Sequence, residues 1–244
     1  MYGPTPTQSA SPNSRVPAAP WLWTALGLSV AAFTVVVLIA LNWHPLLNAD
    51  GTVADWMHAR ALAHPDWTQV NRVLSDWVWD PVTMRLVIAA AAVWLWLRGD
   101  TLLALWCVAT SAVCTGVQQG LKSLLDRERP EWQQPVDTAH FAALPSGHAM
   151  TAAVTCTLVV WLVWSSSAST HVRGLVLAVA CVSVAGVCLS RIVLGVHWLT
   201  DTVVGALLGM AVAAVAIGLR NSLVNRGTWP SRRDPSVRKG RNAA

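Results

Sequence analysis

Charge is scarce in this sequence. Asp, Glu, Lys and Arg make up 12% of its 244 residues and 54% are hydrophobic; a soluble domain carries about twice that charged fraction. The shortage argues against an ordinary water-soluble domain and for an integral membrane protein. Phe and Tyr are nearly missing too, at 2 and 1, so the 15 Trp residues are left to anchor the chain at the membrane interfaces. The five cysteines (Cys107, Cys114, Cys156, Cys181, Cys188) all fall in apolar runs. They lack the spacing of a zinc site or a disulfide framework and read as small packing residues.

What is present is a series of long apolar runs. Trp21 to Leu41 spans roughly 31 Å as a helix, enough for a bilayer core. It is long for a secretory signal and no small-residue cleavage site follows, so a retained helix is expected. Further spans are predicted at 82–97, 101–121, 149–164, 172–189 and 203–219, with Arg98, Gly99 and Asp100 as a tight connection. The expected fold class is therefore an all-α integral membrane protein, a six-transmembrane-helix bundle over residues 21–219. Residues 1–20, rich in Pro, Ser, Thr and Ala, read as a disordered tail, and residues 220–244 as a basic one.

Residues 43–81 interrupt the hydrophobicity with five aspartates, Asp50, Asp55, Asp66, Asp76 and Asp80. Val70, Val73, Leu74 and Trp77 have helical spacing there, which fits a short surface helix as well as a wet connection. Gly205 and Gly209 form a small-xxx-small pair suited to close helix packing. Six spans leave both termini on one side with ten basic residues, mostly in the tail, against seven on the other. The termini are accordingly expected to be cytoplasmic. The basic tail can also meet anionic lipid, although fixing topology is the simpler role.

Two loops on the expected outer side hold the unusual polar residues. The first contains KSLLDRERP, in which Lys122 and Arg129 are seven apart, a spacing that on a helix puts them on one side. It ends in PSGHAM, where Ser146 and Gly147 precede a span and leave backbone N–H groups free to face an anion. His148 would lie in the first turn of that helix. The second loop, SRIVLGVHWLTD, carries Arg191, His197 and Asp201. His197 and Asp201 are four apart and on a helix would share a face, so the carboxylate can hold the imidazole. Arginines, a lysine, free N–H groups and two histidines suit a highly charged oxyanion such as phosphate. One histidine backed by a carboxylate suits a nucleophile, and the other an acid and base. No carboxylate cluster suited to magnesium accompanies them, so no metal and no other cofactor is expected.

The three blocks, K-x6-RP, PSGH and SR-x5-H-x3-D, resemble the signature of the type 2 phosphatidic acid phosphatase superfamily, which includes vanadium haloperoxidases. Lys122, Arg129, Pro130, Pro145, Ser146, Gly147, His148, Ser190, Arg191, His197 and Asp201 match its fixed positions. Leu199 departs from the proline that relatives often carry after the aromatic residue. The resemblance implies that His197 attacks phosphorus and becomes a phosphohistidine, with Asp201 fixing its tautomer. It implies that His148 protonates the leaving oxygen and then activates water. Lys122, Arg129, Ser146, Gly147 and Arg191 would hold the phosphate oxygens. Arg127 would shape the entry or pair with Asp126 or Glu131.

The implied activity is metal-independent removal of phosphate from a lipid phosphate or diphosphate at the extracytoplasmic surface. A polyprenyl diphosphate such as undecaprenyl diphosphate, phosphatidic acid and phosphatidylglycerol phosphate are the substrate classes weighed. The expected partners are that lipid and the bilayer, with no nucleic acid. Phosphotransfer through the same intermediate is a second enzyme reading. A non-catalytic lipid-binding membrane protein is the alternative of another class, and it need not retain both the nucleophile and the acid found here.

Overall fold

The computed structural model describes residues 16–229, so the outer parts of both expected tails lie outside the described residues. Eight α-helices are seen there: α1 (Ala19–Ala40), α2 (His44–Ala63), α3 (Pro65–Val73), α4 (Pro81–Leu97), α5 (Thr101–Leu125), α6 (Gly147–Trp164), α7 (Thr170–Val193) and α8 (Leu199–Asn225). A π-helical turn, Leu74–Val78, joins α3 towards α4.

Six helical stretches are long and apolar enough to cross a membrane: α1, the stretch Pro65–Leu97, and α5 to α8. Their outward faces carry large apolar side chains such as Trp23, Phe33 and Val182, each about two-thirds exposed. Such a surface is stable only against lipid. The chain is a multi-pass membrane protein.

The interrupted region 43–81 is no wet connection, and its short helix α3 covers Val70 and Val73. It is almost wholly helical, and the second apolar stretch begins at Pro65, well before Val82. Prolines explain the breaks: Pro45, Pro65 and Pro81 each stand at the start of a helix, where the missing N–H costs nothing. The Asp80 side chain caps α4 by accepting from Val82 N at 2.7 Å.

Helix α8 is the most buried of the six stretches and packs against α1, α5, α6 and α7. Its glycines permit the closest approach. A Cβ at Gly205 would lie 2.7 Å from the Ser146 carbonyl oxygen, and one at Gly209 would lie 2.3 Å from that of Met150. The small-residue pair thus joins α8 to α6 within the chain. Gly209→Val is expected to force these helices apart and destabilise the bundle by about 1–3 kcal/mol. A lowered melting temperature of the purified protein would check this, and an unchanged one would contradict the packing.

The two ends of the described chain meet at one end of the bundle. Val16 N donates to Asn225 Oδ1 and Asn225 Nδ2 to the Val16 carbonyl, each at 2.9 Å, and Asn221 Nδ2 donates to Pro17 O. The end of α5, the start of α6, the end of α7 and the start of α8 all lie at the opposite end, where the polar loops gather.

Candidate phosphate site

Helix α5 stops sooner than the spacing of Lys122 and Arg129 suggested. Asp126, with φ of 37°, turns the chain left-handed after Leu125, and Arg129 lies in the irregular segment 126–146. Lys122 and Arg129 therefore do not share a helix face. The fold brings them together nonetheless, because the Lys122 ammonium and Arg129 Nη2 both donate to the Ala142 carbonyl, the latter at 3.5 Å. Arg129 also donates to the carbonyls of Phe141 at 2.9 Å, His140 at 3.1 Å and Val196 at 2.5 Å.

The second polar loop is made by the end of α7. Gly195, with φ of 70°, reverses the chain after Leu194. Trp132 braces that turn, donating from Nε1 to the Gly195 carbonyl at 2.9 Å while its ring stacks on His58. His197 consequently precedes α8 and is not part of it, again unlike the helical reading. Trp198 is the N-cap and Leu199 the first residue of α8. Leu199 thus occupies the position where proline fits a helix best, and the helix starts there without it. Asp201, in the first turn, accepts from Trp198 N through Oδ2 at 2.9 Å.

His197 is 2% exposed and lies between two charged groups. Arg129 Nη1 is 3.3 Å from its Nε2, and Asp201 Oδ2 is 3.4 Å from its Nδ1. Arg129 can only donate and the Asp201 carboxylate can only accept, so the two together favour the tautomer with its lone pair on Nε2 and its proton on Nδ1. Burial pushes the His197 pKa well below its ordinary 6.5, and Arg129, Arg191 and Lys122 push in the same direction, opposed by the Ala143 carbonyl. Burial likewise lowers Arg129, opposed by Asp201.

A neutral imidazole follows at about pH 6.5, where a free one is half protonated. Nitrogen-15 NMR of histidine-labelled protein should show His197 neutral and protonated at Nδ1 at that pH. An imidazolium signal there would contradict the assignment.

Ser146 is fully buried, and its N–H donates to the Asp201 carbonyl at 3.0 Å, which fixes the start of α6 beside the start of α8. Its Oγ has no hydrogen-bond partner, nor has the Nε of Arg191, itself only 4% exposed. Arg191 is aimed by Ser75 of the π-helical turn, whose Oγ accepts from Nη1 at 2.8 Å. His148, in the first turn of α6, lies within electrostatic reach of Arg191, His197, Arg129 and Lys122. Its Nε2 is 3.9 Å from Asp80 Oδ2. Gly147 is crowded by Gln118, one turn before Lys122 on α5: a Cβ would come within 2.6 Å of the Gln118 amide nitrogen.

All eight residues singled out in the sequence thus gather at one end of the bundle. Buried polar atoms without partners are costly unless a ligand satisfies them. A hydroxyl, a guanidinium N–H and the free N–H groups of a helix start are all donors, and donors collected beside cations suit an oxyanion. Among the described residues, no group of three or more His, Cys, Asp or Glu side chains could hold a metal ion.

Two contributors were not singled out beforehand, Ser75 and Asp50, and the partners of Arg127 are not the expected ones. Arg127 does not pair with Asp126 or Glu131. It donates from Nη1 to Asp201 Oδ1 at 2.6 Å and from Nη2 to Asp50 Oδ2 at 2.8 Å. The only hint in the sequence was the excess of aspartates in 43–81.

Comparison with known proteins agrees with this geometry. The family model described as PAP2 superfamily matches residues 100–224, a range that contains all eight residues. Phosphatidylglycerophosphatase B of Escherichia coli (strain K12) is 35% identical over 109 residues, 45% of this chain and 39% of that protein. The protein of the same name from Shigella flexneri matches to the same extent. The matched region therefore spans well under half the length of these curated relatives. The fold resembles the crystal structure of a transmembrane PAP2-type phosphatidylglycerolphosphate phosphatase from Bacillus subtilis. The TM-score is 0.71 at 21% identity, covering 82% of this chain and 98% of that one. With half of its length matched by the family model and the three blocks folded into one cationic site, the chain belongs to the PAP2 superfamily.

Proposed function

We propose that this protein is a lipid phosphate phosphatase that works through a phosphohistidine at His197. The observation that carries this reading is the setting of His197, buried with Arg129 3.3 Å from its Nε2 and Asp201 3.4 Å from its Nδ1. In the first step Nε2 bonds to phosphorus, the bond from phosphorus to the lipid oxygen breaks, and His148 gives that oxygen a proton. In the second step water attacks phosphorus while His148 takes its proton. The N–P bond breaks, inorganic phosphate leaves and His197 is restored. Lys122, Arg129, Arg191, Ser146 Oγ and the Gly147 N–H stabilise the charge on the phosphoryl oxygens, more strongly in the transition state than in the ground state.

The likeness to phosphatidylglycerophosphatase B favours a glycerophospholipid phosphate of the phosphatidylglycerophosphate type as substrate. The basic-residue asymmetry supports cytoplasmic termini, which puts the site at the extracytoplasmic surface because it lies at the opposite end of the bundle. The test is phosphate release by the detergent-purified protein from phosphatidylglycerophosphate, phosphatidic acid and undecaprenyl diphosphate, with and without a chelator. Release from phosphatidylglycerophosphate that survives chelation is expected. No release from any of the three would overturn the reading, and loss on chelation would overturn its reliance on the protein's own cations.

A further inference from the structure

One charged chain runs through the back of the site. Arg129 faces His197 Nε2, Asp201 faces Nδ1, Arg127 faces Asp201, and Asp50 on α2 faces Arg127. Arg127 and Arg129 are two residues apart, and they hold the His197–Asp201 pair from its two ends. Glu128, between them, is exposed. Both carboxylates of the chain are buried, Asp50 at 2% exposure and Asp201 at 0%.

The Asp201 carboxylate is divided between two duties. Oδ1 accepts from Arg127, whereas Oδ2 accepts from Trp198 N and faces the histidine. A carboxylate held at both oxygens cannot rotate, which fixes Oδ2 3.4 Å from His197 Nδ1, an atom with no hydrogen-bond partner of its own. Arg127 is itself held in two directions, because it also donates to Thr200 Oγ1 at 2.8 Å. Asp50 closes the loop. Its Oδ1 accepts from Thr200 N at 2.9 Å and its Oδ2 from Thr200 Oγ1 at 2.5 Å. A surface ion pair would be worth little, but here every acceptor is matched by a donor inside the protein.

We propose that Arg127 and Asp50 are positioning residues for the nucleophile: Asp50 locks Arg127, Arg127 locks the plane of the Asp201 carboxylate, and that carboxylate selects the His197 tautomer able to attack. Helix α2, outside the six apolar stretches, thereby sets the reactivity of a residue 147 positions further on. The proposal rests on His197 being the nucleophile.

The test uses the purified full-length protein with Arg127→Gln, Asp50→Asn and the double variant. Single-turnover phosphorylation of His197 should slow by about 10²-fold, less than when an orienting carboxylate itself is lost. KM should stay within about threefold, since neither side chain is among those proposed to hold the phosphate. The double variant should be little worse than Arg127→Gln, because the two act in series. Thr200→Val removes one hydroxyl from the chain and should give a smaller effect in the same direction.

Nitrogen-15 NMR supplies the readout that separates positioning from bulk stability: Arg127→Gln should shift His197 from Nδ1–H towards Nε2–H. Three outcomes would overturn the proposal: an unchanged tautomer, slowing that merely tracks a lost melting transition, or a raised KM at unchanged kcat. The tautomer shift requires no turnover. If it appears while wild type forms no phosphohistidine, the phosphatase reading fails and the positioning network stands.

Discussion

His197→Ala is expected to slow phosphate release from the lipid substrate at least about 10⁴-fold. The effect should fall on kcat, because the substitution removes the proposed attacking atom and leaves the cations proposed to bind the phosphate. Neither other candidate can replace it. His148 stands in the first turn of α6 and is assigned to the leaving oxygen, and Ser146 Oγ is fully buried beside the α8 N-terminus with no base in contact. Water could attack directly, but it would lack the covalent step that divides the reaction into two easier ones. A residual rate within about tenfold of wild type would show that the phosphoryl group does not pass through this residue.

Arg191→Ala should lower kcat by about 10²–10³-fold, the usual effect of removing one preorganised donor from a developing oxyanion. The residue is unusual in being a 4% exposed cation at the last turn of a membrane helix. The α7 C-terminus stabilises its charge, and Ser75 uses only Nη1, leaving Nε without a partner and available to a ligand. Lysine should restore little, since one ammonium group cannot satisfy Ser75 and fork onto phosphate at once. Ser75→Ala loosens the guanidinium without removing it, so about fivefold is expected, close to the loss of one hydrogen bond. Recovery to near wild-type rates with Arg191→Lys would mean that position 191 supplies only charge.

The residues concerned were legible in the sequence, because they are locally marked. A histidine or arginine in a chain with so little charge stands out, and PSGH before an apolar run announces a helix start. The six apolar stretches were legible for a similar reason: lipid imposes length and hydropathy on each helix separately. Two local readings failed. Lys122 with Arg129, and His197 with Asp201, have helical spacing, yet a left-handed residue at Asp126 and a glycine turn at Gly195 put one member of each pair outside its helix. Spacing brings side chains together in more than one way, and tertiary contacts decided which.

Asp50, Ser75 and the real partners of Arg127 were harder to see. Asp50 is 150 residues from Thr200, with which it shares two hydrogen bonds, and nothing in a run of five aspartates separates a buried one from the solvated ones. Arg127 illustrates the same limit. Its sequence neighbours Asp126 and Glu131 were obvious partners, but both are exposed, and the fold offered two buried carboxylates instead. Charge pairing follows burial more closely than sequence proximity, since a dry environment strengthens the attraction that water screens.

The account turns on one covalent bond, so the most direct measurement is to trap it. Wild-type protein mixed with phosphatidylglycerophosphate and quenched in alkali within a turnover, then digested and sequenced by mass spectrometry, should carry a phosphoryl group on His197, stable to base and labile to acid. The label should disappear as inorganic phosphate accumulates, and should persist when His148 is replaced by glutamine. Turnover with no phosphoryl group at His197 at any quench time, or a group on another residue, would contradict the account.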